Sequence, residues 1–428
     1  MTQAIQKAVR AIDEKALARL GMEMTAIPSP TGEEGEMGRY LAEQFRRRGL
    51  RTQVQEVSED RCNVVGRLEG TGEGITLMFN GHMDTSYSGR EKELHGPGYK
   101  TRPVVRKSGG EEWIYGAGIN NMKNALASYL GVVDALRKAK VRLKGDIVIA
   151  AVVGEIEKAP IDEFQGATYA GYGTGTKYLL SHGGIADFCI IGEPTGFVVT
   201  PGNMGSVWIQ FTTYGTMAHA AWADRAVNAI DQMQKVIAAI RKWAPTYARR
   251  RAYQGVRPPV NIGAIEGGWR WRAVRVPVQC KLCVDVRLPP DVLPIEVFYE
   301  LREVVRRLQA RDADLEVDVE VYSSNPGTDV PADHPTVRAL QKAHRAVFRR
   351  PPKVECSVYI SDAVHLNRYG ITTVNYGGGG RLRTGGCGFD PLEGEHQSVR
   401  DMARATEVYV RAAIDLCSKT RAQLGVRG

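Results

Sequence analysis

Ile75-Thr76-Leu77-Met78-Phe79-Asn80-Gly81-His82-Met83-Asp84 is the stretch on which the reading turns. Its apolar first half, to Asn80, reads as a buried strand. His82 and Asp84, two residues apart beyond its end, are the residue types of a metal ligand and of the carboxylate that orients its other ring nitrogen. A His-x-Asp pair is common by chance, so its weight depends on company. Gly192-Glu193-Pro194-Thr195 follows a second apolar run, and Gly394-Glu395-His396 lies near the C-terminus.

Working outward, 428 residues exceed what one hydrophobic core usually serves, so two domains are expected. A composition 43% apolar and 25% charged is that of a globular chain. No apolar run reaches membrane-spanning length, and residues 1–20 mix charges at helical spacing without a signal-peptide stretch. The net charge of +9 favours anionic small molecules. It does not point to nucleic acid, because the Arg runs at 46–48, 249–251 and 349–350 fall near predicted helix ends, where cations complement the helix dipole.

The seven cysteines (62, 189, 280, 283, 356, 387 and 417) are scattered and odd in number, which suits reduced core thiols and a cytoplasmic protein. Cys280 and Cys283 have metal-motif spacing but lie in an alternating strand pattern, where positions i and i+3 face opposite sides.

Residues 1 to about 200 alternate helix and strand in the α/β manner. Strands are expected at 63–68, 75–80, 146–153 and 186–192, and helices at 124–138 and 173–181. From about 204 the order becomes strand (206–213), helix (228–243), two strands (260–265, 281–288), helix (295–310) and strand (315–322). That order suggests an α+β layer on one sheet. The C-terminal part ends in a helix over 398–421. The expected division is 1–203, 204–325 and 326–428: an α/β domain interrupted by an insertion.

In this order and at these spacings, the motifs resemble the metal-dependent hydrolase family of acetylornithine deacetylase, succinyl-diaminopimelate desuccinylase and carboxypeptidase G, over nearly the whole chain. The resemblance implies a catalytic α/β domain with a central mixed sheet, an inserted α+β lid that forms a homodimer, and two divalent ions sharing a bridging carboxylate. It assigns His82 and Glu193 to the first ion, His396 to the second, and Asp84 to holding the His82 ring. It places the general base at Glu155 in Val152-Val153-Gly154-Glu155-Ile156-Glu157. Burial there raises a carboxylate's pKa while a nearby cation lowers it, as proton shuttling near neutral pH requires.

Two positions depart from that pattern. Ile156 stands where a carboxylate ligand of the second ion is expected, and Glu157 is displaced by one residue, which in an extended segment reverses the side chain. Asn121, in Gly118-Ile119-Asn120-Asn121-Met122-Lys123, stands at the bridging position. An amide oxygen can ligate one ion but cannot bridge two as a carboxylate does. One tightly bound divalent ion (Zn, Mn or Co) is therefore expected, held by His82, Glu193 and Asn121.

The resemblance further implies that His219, in Gly215-Thr216-Met217-Ala218-His219, stabilises an oxyanion. It places Asn261, Arg287 and Gly378, the last within Tyr376-Gly377-Gly378-Gly379-Gly380, at the substrate, with Arg287 suited to a carboxylate. Asp362 supports nearby loops. The activity so implied is hydrolysis of a C–N bond in a small anionic molecule. Three forms stay open: amide or peptide deacylation, ammonia release from an activated aromatic amine such as 5-nitroanthranilate, and a binding protein that has lost its bimetal site. Trp269-Arg270-Trp271-Arg272 in the lid suits a flat aromatic acid.

Overall fold

In the computed structural model, which describes residues 1–379 and 389–426, the apolar run becomes the strand Leu77–His82, every residue of it buried. In chain order the strands are β1 Arg51–Ser58, β2 Arg61–Leu68, β3 Leu77–His82, β4 Val104–Ser108, β5 Glu111–Tyr115, β6 Ile147–Val152, β7 Phe188–Ile191, β8 Val199–Asn203, β9 Gly205–Tyr214, β10 Val260–Gly267, β11 Gln279–Leu288, β12 Val317–Asn325, β13 Val354–Ser357, β14 Thr372–Asn375, β15 Phe389–Asp390 and β16 Gly394–Ser398. Gly380 and Cys387 lie outside the described residues. The remaining six cysteines are free thiols.

The chain divides into two compact units. The first comprises residues 1–201, 330–355 and 361–428, the second 202–329 and 356–360. The boundaries expected at 203/204 and 325/326 thus fall a few residues away. Residues 356–360, expected with the C-terminal part, group with the insertion instead, where Met204 N donates to Ser357 O at 3.1 Å.

The main sheet is mixed, in the order β1-β2-β6-β3-β7-β14-β8-β13. β3 lies between β6 and β7 and runs parallel to both, with His82 opposite Val152 and Asn80 opposite Ile191. Every residue of β3, β6 and β7 is buried, as continuous apolar runs require when helices cover both sheet faces. Helices Asn124–Lys138 and Val399–Cys417 pack on β3, and Thr174–Ser181 on β6. A smaller sheet, β15-β16-β5-β4, also belongs to the first unit.

The second unit is an antiparallel sheet, β10-β11-β9-β12. Alternating burial along β11 puts Cys280 in the core and Cys283 on the other face, so the pair does not converge on one ion. Helices Ala229–Arg250 and Pro294–Gln309 bury Met233, Val236, Ile240, Val297, Leu301 and Val305 against the Cys280 face. The first of these helices runs seven residues beyond its expected end, through Pro245. Interior proline costs about 3 kcal/mol. Here Tyr247 offsets it: the ring is buried, stacks on Trp243 at 4.7 Å, and its hydroxyl donates to Arg287 O. Among the described residues no helix is long and apolar enough to cross a membrane.

Candidate metal centre and active site

Three parallel neighbours end together, and the site stands at their carboxyl ends, where open α/β sheets bind ligands. β3 ends at His82 itself. Glu155 follows β6 by three residues and Glu193 follows β7 by two. His82 Nδ1 donates to the Asp84 carbonyl oxygen at 2.9 Å, which turns Nε2 toward the cluster. Around Nε2 lie Asn121 Oδ1 at 3.0 Å, Glu155 Oε2 at 3.6 Å and Glu193 Oε1 at 3.9 Å. His82, Glu155 and Glu193 form the group of potential metal ligands among the described residues, and all three are buried.

The Asp84 carboxylate lies 3.5 Å from Nδ1, and its closer contacts are elsewhere. It accepts from Thr31 Oγ1 and from the backbone N–H groups of Glu155 and Ile156, at 2.9, 3.0 and 3.1 Å. Asp84 therefore anchors the turn that carries Glu155 as well as standing beside the histidine. β6 stops at Val152 and residues 153–157 bend, so the alternation that set Glu157 on the wrong side does not apply there. The Glu157 charge reaches the cluster, raising the pKa of both Glu155 and Glu193.

Burial pushes Glu155 well above the ordinary carboxylate range, against the pull of His82, and Glu193 and Asp362 add to the rise. Burial, with Asp362 and Glu157 adding against the pull of His82, pushes Glu193 up to about 7. Burial, opposed by the Thr176 hydrogen bond and His82, raises Asp362 to about 6. Burial lowers His82, yet the carboxylates of Glu155, Asp84 and Glu193 together hold it well above its usual value. So many buried carboxylates at one imidazole are a charge set that a cation completes. Glu193 Oε1 fits that reading directly, being buried with no hydrogen-bond partner among the described residues. An imidazole nitrogen, a carboxylate and an amide oxygen form a mixed N/O donor set suited to Zn, Mn or Co.

The other residues named from the sequence are placed as follows. His396 is buried on β16, its ring stacked on Tyr115 at 5.2 Å, and is not in the His82 group. Asp362 accepts from Thr176 Oγ1 at 2.6 Å. Gly378 is buried, and a side chain there would meet Gln397 Nε2. His219, Asn261 and Arg287 belong to the second unit. His219 caps a short helix by accepting from Ala221 N, Asn261 is exposed on β10, and Arg287 pairs with Asp285 at 2.9 Å.

Sequence reasoning missed three supports of the first unit. Glu34 and Arg61 form a fully buried bidentate pair, and Glu34 Oε1 also accepts from Gly154 N, next to Glu155. Glu395 lies buried behind Asn121. Lys123 is fully buried, donates to Ile27 O, and is lowered by burial to about 7. Only Glu395 had a local signal, its place beside His396.

A mixed sheet with a buried His/Glu/Glu cluster at the carboxyl ends of its central strands is the arrangement expected of a metal-dependent hydrolase. The chain matches peptidase family M20/M25/M40 over residues 78–415 and belongs to that family. Over 99% of its length it is 25% identical to the N-formyl-4-amino-5-aminomethyl-2-methylpyrimidine deformylase of Bacillus subtilis (strain 168), all of which is covered. It is 28% identical to the acetylornithine deacetylase of Myxococcus xanthus over 57% of this chain and 62% of that enzyme. In structure it is similar to a tripeptidase from Staphylococcus aureus, with TM-score 0.75 and 21% identity, over 96% of this chain and 100% of that one. The dipeptidase Dug1p of Saccharomyces cerevisiae also gives TM-score 0.75, at 12% identity, over 98% and 100%.

Proposed function

We propose that this chain is a metal-dependent amidohydrolase that removes a short acyl group from the nitrogen of a small molecule, with Glu155 as the base. The observation that carries the reading is the convergence of Asn121, Glu155 and Glu193 on His82 Nε2. A divalent ion held by His82, Glu193 and the Asn121 oxygen would supply the Lewis acidity that makes water a nucleophile near neutral pH. Glu155 takes a proton from the attacking water as its oxygen bonds to the acyl carbon. The C–N bond then breaks, and Glu155 returns that proton to the departing nitrogen, leaving acid and amine. Asp84 and Thr31 hold the Glu155 turn in place during this transfer.

Asn121 and Ile156 each remove an anionic ligand, which favours one tight ion over two. The full-length similarity to a deformylase supports formyl as the first acyl group to try. Asp285 already neutralises Arg287, so a substrate without a carboxylate is as reasonable as one with it. The roles of His219 at the oxyanion, and of Asn261, Arg287 and Gly378 at the substrate, are part of the same proposal. Ammonia release from an aromatic amine is the second reading, favoured by Asn121 standing where a bridging carboxylate is expected.

The test uses protein loaded with Zn, Mn or Co and offered an N-formyl aminopyrimidine, an N-acetyl amino acid and 5-nitroanthranilate. Formate or acetate released in step with free amine supports the proposal, and Glu155→Gln should abolish release while keeping the metal. Ammonium released from 5-nitroanthranilate in step with the hydroxylated aromatic acid, with no formate or acetate from the other two, moves the assignment to the second reading. No product from any of the three overturns the substrate class.

A further inference from the structure

The carboxylate missing from position 121 has a counterpart behind it. Glu395 is 4% exposed, and its two oxygens face the turn that presents Asn121. Oε1 accepts from Gly118 N at 3.1 Å, and Oε2 accepts from Asn120 N and Asn121 N at 3.1 and 3.0 Å. Three backbone donors on one buried carboxylate fix a turn far more tightly than one neutral bond, because each is charge-assisted. The backbone of Glu395 is itself held on both sides: its N–H donates to Gly98 O and its carbonyl accepts from Gly116 N, each at 3.2 Å. Glu395 also lies on β16, next to His396.

We propose that Glu395 is a positioning residue for the metal centre: its carboxylate clamps the 118–121 turn so that the Asn121 amide oxygen is held against His82 Nε2. The inference rests on the metal-centre reading above. A neutral amide is a weaker ligand than a carboxylate and tolerates displacement less well. With Asn at 121, the affinity of the centre depends on how firmly that oxygen is pre-set. Glu395 provides the setting through the backbone, without touching the ion.

The test is calorimetric titration of Zn2+ and Mn2+ into the metal-free full chain, for wild type, Glu395→Gln, Asn121→Ala, the double variant and His82→Ala. Glu395→Gln keeps the shape but puts an NH2 where at least one N–H donor expects an oxygen. Outer hydrogen-bond partners of a metal ligand typically contribute about 10- to 100-fold in affinity, so Kd should rise about tenfold or more. If Glu395 acts through Asn121, the double variant is no weaker than Asn121→Ala alone, because the two residues serve one contact. Amide exchange at Gly118, Asn120 and Asn121 should accelerate in Glu395→Gln without metal present. Wild-type affinity in a folded Glu395→Gln chain, or strictly additive losses in the double variant, would overturn the inference. Metal uptake unchanged in His82→Ala would instead remove the centre on which it rests.

Discussion

Replacing Arg61 by Met isolates the buried ion pair beneath the Glu155 turn. The Arg61 side chain is 1% exposed and that of Glu34 is 0% exposed. Arg61 donates twice to Glu34 at 2.8 Å, and its remaining N–H groups reach the carbonyls of Ala167 and Ala170 at 3.1–3.2 Å. Met fills similar volume but leaves the Glu34 charge, among the described residues, with the N–H groups of Gly32 and Gly154. Removing one partner of a buried pair costs about 3–5 kcal/mol. Two carbonyls that lose donors add about 1 kcal/mol, for a total near 5. The first unit has about 300 residues and an unfolding entropy on the order of 0.6 kcal/mol/K, so its Tm should fall by about 8 °C.

Five of the six tryptophans (208, 222, 243, 269 and 271) lie in the second unit, so fluorescence is the wrong probe. Amide exchange in β2 and β6 reports the first unit directly. The pH dependence has a definite sign. Burial raises Glu34 above the ordinary carboxylate range, and the Arg61 hydrogen bonds pull it down. Without Arg61 it rises further, so the native variant holds a proton that unfolded Glu34 releases above about pH 4.3. By linkage the variant's stability then falls as pH rises, and its deficit should be larger at pH 8 than at pH 5. Adding Glu34→Gln should recover part of the loss. A deficit below 1 kcal/mol, or one equal at both pH values, would refute the argument from buried charge.

Tyr129→Phe removes the hydroxyl that accepts from Gly192 N at 2.6 Å and donates to Asn80 O at 2.8 Å. Its urea midpoint should fall by the equivalent of about 1–3 kcal/mol with unchanged m-value. Burial, helped by the Lys177 charge, depresses His365 to about 3. Its ring should therefore not titrate by NMR between pH 5 and 8. The stability it contributes is present above the unfolded value near 6.5 and lost as pH falls toward 3, so His365→Gln should flatten the stability curve over that window. Stripping divalent ions should lower Tm, and reloading to 100 times Kd should restore about 2.7 kcal/mol, an effect absent in His82→Ala.

Reading along the chain finds what is periodic. The helix Asn124–Lys138 lies where the pattern placed it, and the expected β-αβ-βαβ order of the insertion is the order observed. Each such element declares itself within a dozen residues, by alternation or by helical spacing. The 153–157 segment did not, because its bend is imposed by Asp84 accepting from Glu155 and Ile156 across 71 and 72 residues of chain. The helix through Pro245 exceeds its expected end for the same reason, since the Tyr247 contact that offsets the proline lies on a strand 40 residues away.

By itself the sequence determined an α/β chain with an α+β insertion, and the donor types available to a metal, because apolar period and residue chemistry are local properties. Only the tertiary structure decided that β3 lies between β6 and β7, so that His82, Glu155 and Glu193 meet. Strand order is a choice among long-range pairings that no local pattern encodes. The same is true of Glu34 with Arg61 and of Glu395 with the 118–121 turn. A buried carboxylate is tolerable only when donors surround it, and those donors are assembled by the fold from segments distant in sequence.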